Sequence, residues 1–293
     1  MSLAHPILSL SQPPRKAGGT VAAALAPAQS EVYGHLTLAR RVWCIGAIHA
    51  DVSRLMAVHD QMAGRLRPGD RLVYLGNMIG QGQASVDTID ELLAFRRHFL
   101  ALPGAEPWDI VHLRGAQEEM WSKLAQLQFA PNPREVLAWM IGQGVGATIR
   151  SYGIDPDSGF GHCRDGVLAI TRWTARLMQA VHDHPGHDEL LSSLRRYATT
   201  GTDGLLFVNA GLDTGRPLSE QRDTFWWGSG CGFPADAPAY GDFRLIIRGF
   251  DRAGGGPWVA PHRASIDGGC GFGGKLVAAC FAPDTALLDW LEV

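Results

Sequence analysis

"RVWCIGAIHAD" (Arg41–Asp51) and "RLVYLGNMIGQG" (Arg71–Gly82) follow the same pattern, a short apolar strand that runs straight into a glycine, Gly46 or Gly76. Between them, Val52, Leu55, Met56, Met62 and Leu66 recur at helical spacing until "PGD" breaks the pattern. "SVDTIDELLAFRRHFL" repeats the helical period, with Ser85 or Asp87 available as a cap, and "WDIVHLRG" is a third strand ending at Gly115. Strand, glycine turn and helix in alternation specify an α/β domain. Its strand-to-helix loops gather at one sheet edge, where ligands in such folds bind.

Working outward, residues 118–200 read as mostly helical, an insertion or cap over that edge rather than an independent domain. Strand patterns return in "GLLFVNAGL", "FRLIIRGF" and "KLVAACF", with Gly- and Pro-rich connections. The whole reads as a layered sheet sandwich with outer helices. Residues 1–38 carry many Ala, Pro and Ser and no acid before Glu31, and read as a flexible extension; residues 39–293 form the domain.

With 46% hydrophobic and 19% charged residues, the chain can bury a substantial core. A net charge of −3 with scattered Lys and Arg gives no footprint for nucleic acid, and no apolar run reaches membrane-spanning length. Five cysteines without a C-x-x-C pair fit reduced thiols in a cytoplasmic protein.

Several local patterns carry less than they suggest. "GGCGFGGK" (268–275) has the outline of a phosphate loop, but Leu276 stands where Mg²⁺ needs a hydroxyl, and a strand follows. His182, His184 and His187 cluster with Asp183 and Asp188, but Pro185-Gly186 breaks the i,i+4 spacing of a helical metal site, so a solvated helix end is expected. Cys231 in "GSGCG" has no strand before it and no paired base.

In order, "GAIHA" (46–50), "GNMIGQG" (76–82), "GAQE" (115–118), "NAG" (209–211) and "GFD" (249–251) resemble the five motifs of the calcineurin-like metallophosphoesterases. The branch is that of bacterial Ser/Thr protein phosphatases and symmetrical diadenosine tetraphosphatases. "ATIRSYGID", "RPLSEQRDTFWW" and "SIDGGCGFGGKLVAACF" extend the resemblance over nearly the whole chain from about residue 40. It implies a four-layer sandwich of two mixed β-sheets flanked by helices, with a helical insertion at about 118–200.

The family works through two divalent metals, such as Mn or Fe/Zn, bridged by an aspartate, and its ligands come from those five loops. Here the first aspartate position is Ala47 and the bridging one is Asn77. The asparagine ligand is Ala116, the catalytic histidine is Gln117, and the later histidine ligands are Asn209 and Phe250. His49 alone is kept. The phosphate-gripping arginine is Gln81, the acid before it is Gly80, and an arginine expected after "FWW" is Gly228; Arg114 is retained.

The resemblance therefore implies a pseudophosphatase with a vestigial site at His49, Asn77, Gln117, Asn209 and Asp251, kept for binding, regulation or assembly. No metal cofactor is expected. A protein partner or a second copy of the chain, and a small polar ligand at His49, Asn77, Arg114, Gln117 or Asn209, are the expected contacts. Trp226 and Trp227 are either core or partner-facing. The alternatives are an active phosphoesterase with a rebuilt metal site, for instance His112, His49 and Asp251, and a structural subunit of a larger complex.

Overall fold

The computed structural model describes residues 33–201, 203–228 and 232–293. Two sheets carry the fold. In the first, β2 (Arg41–Ile45), β3 (Asp70–Tyr74) and β4 (Ile110–His112) are parallel, and β10 (Val277–Phe281) and β11 (Leu287–Glu292) extend it antiparallel beside β2. The second runs β1 (Tyr33–His35), β5 (Tyr197–Thr199), β6 (Leu205–Val208), β7 (Leu245–Arg248), β9 (Arg263–Ser265) and β8 (Trp258–Val259). There β6, β7 and β9 are parallel, β5 is antiparallel to β6 but parallel to β1, and β8 is antiparallel to β9.

β2, β3, β6, β7 and β10 are mostly apolar and buried because both faces of the sheets are covered there, and the two-residue period sorts their side chains into separate cores. From β2, Trp43 and Ile45 face a helical layer with Leu72, Tyr74 and Ile110, while Val42 and Cys44 enter the space between the sheets. From β6, Leu205 and Phe207 meet them there, and Leu206 and Val208 turn outward to Phe225 and Trp226. Layered packing follows directly from this alternation. Burying one such leucine or phenylalanine stabilises the fold by roughly 1.5–3 kcal/mol.

The helical layer holds α1 (Val52–Ala63), α2 (Ser85–Leu100), α3 (Ala116–Leu124), α4 (Pro133–Gly142), α5 (Val145–Ser151), α6 (Ser158–Arg164), α7 (Val167–His182) and α8 (His187–Ser192). The helices of the 118–200 stretch send Leu137, Met140, Ile149, Tyr152, Trp173 and Leu177 into the same core as Trp43 and Tyr74. A short α9 (Thr224–Trp227) lies against the second sheet. Among the described residues no helix is long and apolar enough to cross a membrane.

Three expectations change. The domain begins before residue 39, because β1 (Tyr33–His35) pairs in parallel with β5 and belongs to the sheet; residues 1–32 of the expected extension lie outside the described residues. In α1 the buried face is Leu55, Val58, His59 and Met62; Met56 is exposed and Leu66 lies past the helix end. Neither Ser85 nor Asp87 caps α2, since the Ser85 hydroxyl bonds the Thr148 hydroxyl at 3.1 Å, tying α2 to α5.

Candidate functional site

The loops after β2, β3, β4, β6 and β7 converge at one edge and bind one another through backbone. The Asn77 carbonyl accepts from the Ile48 and His49 N–H groups, the Gly249 carbonyl from Ala47, and the Asn209 carbonyl from Gly249 and Phe250. Approach this close explains the glycines. Gly76 has φ +85°, and a Cβ there would sit 2.8 Å from the Gly115 nitrogen; a Cβ on Gly115 would run into the Asn77 side chain. His49, Ala50, Asn77 and Gln81 also hold positive φ without being glycine, each at a cost on the order of 1 kcal/mol. Such conformations persist only where the surrounding structure fixes them.

Glu118 does much of that fixing. It is buried at the start of α3, and its carboxylate accepts from the backbone N–H of Asn77 (2.9 Å), Met78 (2.7 Å), Ile79 (3.1 Å) and Gly115 (2.8 Å). Burial raises its pKa, and those donors pull against the rise. Across the cleft, the Asn209 amide donates to the Leu75 carbonyl at 2.7 Å, joining the two sheets.

His49 is fully buried, with an edge of contact to Phe250 at 5.4 Å and to Phe272 at 5.1 Å between ring centroids. Among the described residues, neither of its ring nitrogens has a hydrogen-bond partner. Desolvation lowers its pKa to about 4, so it is a neutral imidazole at neutral pH. The two-metal centre that the resemblance implies does not fit the residues present. Asn77 Oδ1 already accepts from the Gln117 backbone at 3.1 Å, and Phe250 places a phenyl ring beside His49. Asp251 pairs with Arg248 at 2.6 Å, and Asp267 accepts from the Asp251 and Gly269 N–H groups at 2.7 and 2.9 Å. One imidazole and neutral amides fall short of the three protein ligands and anionic charge that a divalent site needs.

A cavity of about 510 Å³ opens over these loops, lined by His49, Asn77, Gln81, Gln117, Trp226, Trp227, Phe250, Asp251, Asp267 and Phe272 among others. Gln81 and Gln117 both send their amide nitrogens to one acceptor, the Gln143 carbonyl at the end of α4, at 2.8 and 2.7 Å. Asn77 Nδ2, Gln117 Oε1 and Asn209 Oδ1 are buried without partners among the described residues. Burial raises the Asp267 pKa.

Thus His49, Asn77, Gln117 and Asp251 line one cavity, with Asn209 beneath it. Arg114 is not among the lining residues; it pairs with Glu119 at 3.0 Å. His112 stacks flat on Tyr74 at 4.8 Å, within the layer facing the helices, and the described residues do not bring it together with His49 and Asp251 as a metal-ligating group. Trp226 is buried and Trp227 is partly exposed at the cavity wall. The 268–275 glycine stretch forms a turn into β10, not a helix, and places Gly271 against His49. Cys231 lies outside the described residues. Sequence reasoning missed Glu118, Gln143 and Phe272. For Glu118, a buried acid at a helix start directly after a strand-ending glycine was the available signal.

No protein-family model matches the sequence, and no curated protein matches it. Solved structures do. A protein assigned as a diadenosine tetraphosphatase superposes with TM-score 0.54 at 16% identity, over 89% of this chain and 97% of that one. A Ser/Thr protein phosphatase from Saccharomyces cerevisiae, with similarity to human phosphatase PP5, gives 0.52 at 12% identity over 89% and 83%. A metallophosphoesterase from Sphaerobacter thermophilus aligns more loosely, with TM-score 0.45 at 16% identity over 87% and 88%. At such identities the likeness is one of architecture: the chain has the calcineurin-like metallophosphoesterase fold.

Proposed function

We propose that this chain is a pseudophosphatase, a phosphoesterase fold whose strand-end site has lost two-metal hydrolysis and serves as a binding cavity. The observation that carries the reading is His49: neutral, buried and boxed by Phe250 and Phe272, with both nitrogens unpartnered among the described residues, where the fold would place metal. Aromatic walls from Trp226, Trp227, Phe250 and Phe272, with amides from Gln81, Gln117 and Asn77, suit a small, flat, polar ligand. Two acids, Asp251 and Asp267, beside Arg252 give no net positive field for a phosphate ester.

The test incubates the full chain with Mn²⁺, desalts it, measures bound metal, and assays hydrolysis of p-nitrophenyl phosphate and diadenosine tetraphosphate. Metal well below one ion per chain and no turnover above buffer are expected. Near two Mn²⁺ per chain, with turnover abolished by His49→Ala, would overturn the reading.

A further inference from the structure

Asp90 on α2, His184 in the turn after α7 and His187 at the start of α8 bring one carboxylate oxygen and two imidazole nitrogens within 4.8 Å of one another. None of the three lines the strand-end cavity. The turn that unites the histidines contains Pro185 and Gly186, and Gly186 takes φ +85°, a left-handed step that lets the two rings stack with centroids 4.9 Å apart. The break that spoils i,i+4 spacing in the sequence thus produces a different convergence in space, and Asp90 completes it from a helix far away in the chain.

His187 is the fixed member. Its ring is buried, with the Tyr152 hydroxyl 2.8 Å from Nδ1 and Asp90 Oδ1 3.1 Å from Nε2. Here the Asp90 carboxylate accepts from Nε2–H and Nδ1 accepts from the Tyr152 O–H. A cation at Nε2 would displace that proton and leave the outer-shell arrangement of metal-bound histidine, with Nδ1–H held by Tyr152 and Nε2 aimed at the ion. When Nδ1–H donates to the Tyr152 oxygen, the Nε2 lone pair points towards Asp90. Asp90 is exposed and His184 half-buried, so both can rotate from their present spacing towards the roughly 3.3 Å donor separation of a tetrahedral site with bonds of about 2.0–2.1 Å. Asp188 and Glu189 on the first turn of α8 add negative charge nearby. His182 pairs instead with Asp188 at 2.7 Å and is not one of the three converging groups.

We propose that Asp90, His184 and His187 form a binding site for a borderline divalent cation of the Zn²⁺ class, clasping α2 to the turn between α7 and α8. Two imidazoles and one carboxylate favour Zn²⁺ over Mg²⁺ or Ca²⁺, which prefer all-oxygen shells.

The experiment uses the untagged full chain, stripped with EDTA and titrated with ZnCl₂ by calorimetry. In parallel, Co²⁺ is added and its visible absorption recorded, since tetrahedral coordination gives intense bands. The expected result is one Zn²⁺ per chain, at least tenfold weaker binding in Asp90→Asn and in His184→Gln, and Co²⁺ bands that vanish in the double variant. Both substitutions are at solvent-reachable positions, so they leave the buried His187–Tyr152 pair and the fold in place. No saturable Zn²⁺ binding, or binding that both variants retain, would overturn the proposal. Neither substitution touches the strand-end loops, so the outcome is independent of the pseudophosphatase reading. Any Mn²⁺-dependent turnover at those loops would survive in the double variant.

Discussion

Glu118→Ala should be among the most damaging single substitutions in the molecule, although the residue touches no ligand. It would leave four backbone N–H groups, of Asn77, Met78, Ile79 and Gly115, without their acceptor among buried residues. An orphaned buried donor costs about 1–3 kcal/mol, and partial water entry relieves some of that, so a loss of roughly 4–6 kcal/mol is expected. Against a usual total of about 5–15 kcal/mol, that takes much of the margin of stability. Glu118→Gln keeps one oxygen, which can serve one pair of donors, while its NH₂ faces the other pair; a loss of about 2–4 kcal/mol is expected. Urea unfolding gives the totals, and hydrogen exchange locates the effect, with amides 77–79 losing protection first in the Gln variant. If Glu118→Ala costs less than about 1 kcal/mol, or protection at 77–79 is unchanged, the carboxylate does not hold this loop.

Other expectations follow from the same geometry. Burial lowers His49 to about 4 and His112 to about 3, so the unfolded chain takes up protons before the folded one as pH drops below about 6.5. Stability should fall across the window from pH 6.5 towards pH 4, by at most about 1.4 kcal/mol per pH unit for each histidine. His112→Phe, which can still stack on Tyr74, should show a shallower fall; parallel curves for variant and wild type in denaturant titrations would refute this. Gly80→Ala should be strained by its φ of +83° and by contact with the Gln117 amide, lowering stability by roughly 1–3 kcal/mol on thermal melts. Restoring two carboxylates with Ala47→Asp and Asn77→Asp should give no Mn²⁺-dependent turnover, because Ala116, Gln117, Asn209 and Phe250 still lack ligands. It should also destabilise the chain by placing a second acid beside Glu118, and turnover in a phosphatase assay would contradict this.

The strand–glycine–helix units were legible because both signals are local: apolar runs of strand length, and glycines where backbones touch. β2, β3, β6, β7 and β10 all lie within stretches of that kind. β1, β5 and β8 are three residues or shorter; β1 exists only because β5, far along the chain, supplies its hydrogen bonds, and β8 is a two-residue edge of a hairpin with β9. The meeting of His49, Asn77, Gln117 and Asp251 at one cavity was legible by position, since the order of five loops fixes which side chains meet. What those side chains do once there was not. Asn77 and Gln117 read as ligand groups, yet the Asn77 oxygen bonds the Gln117 backbone and the Gln117 amide reaches across to Gln143. Asp90 reads as one more acid on the polar face of a helix; only the tertiary fold brings it to His184 and His187.

The shared carbonyl of Gln143 makes occupancy and mobility one quantity. Gln81 and Gln117 each commit one of two amide N–H groups to the end of α4, so a guest that takes those same hydrogens must first compete with the helical segment. Each bond is worth about 1 kcal/mol net. The clasp therefore taxes affinity by about 2 kcal/mol, roughly thirtyfold, and linkage returns the same factor as a loosened α4 whenever the guest is bound. If the proposed guest bound through those hydrogens, filling the cavity would loosen the end of α4, and holding that helix in place would weaken binding by the same factor.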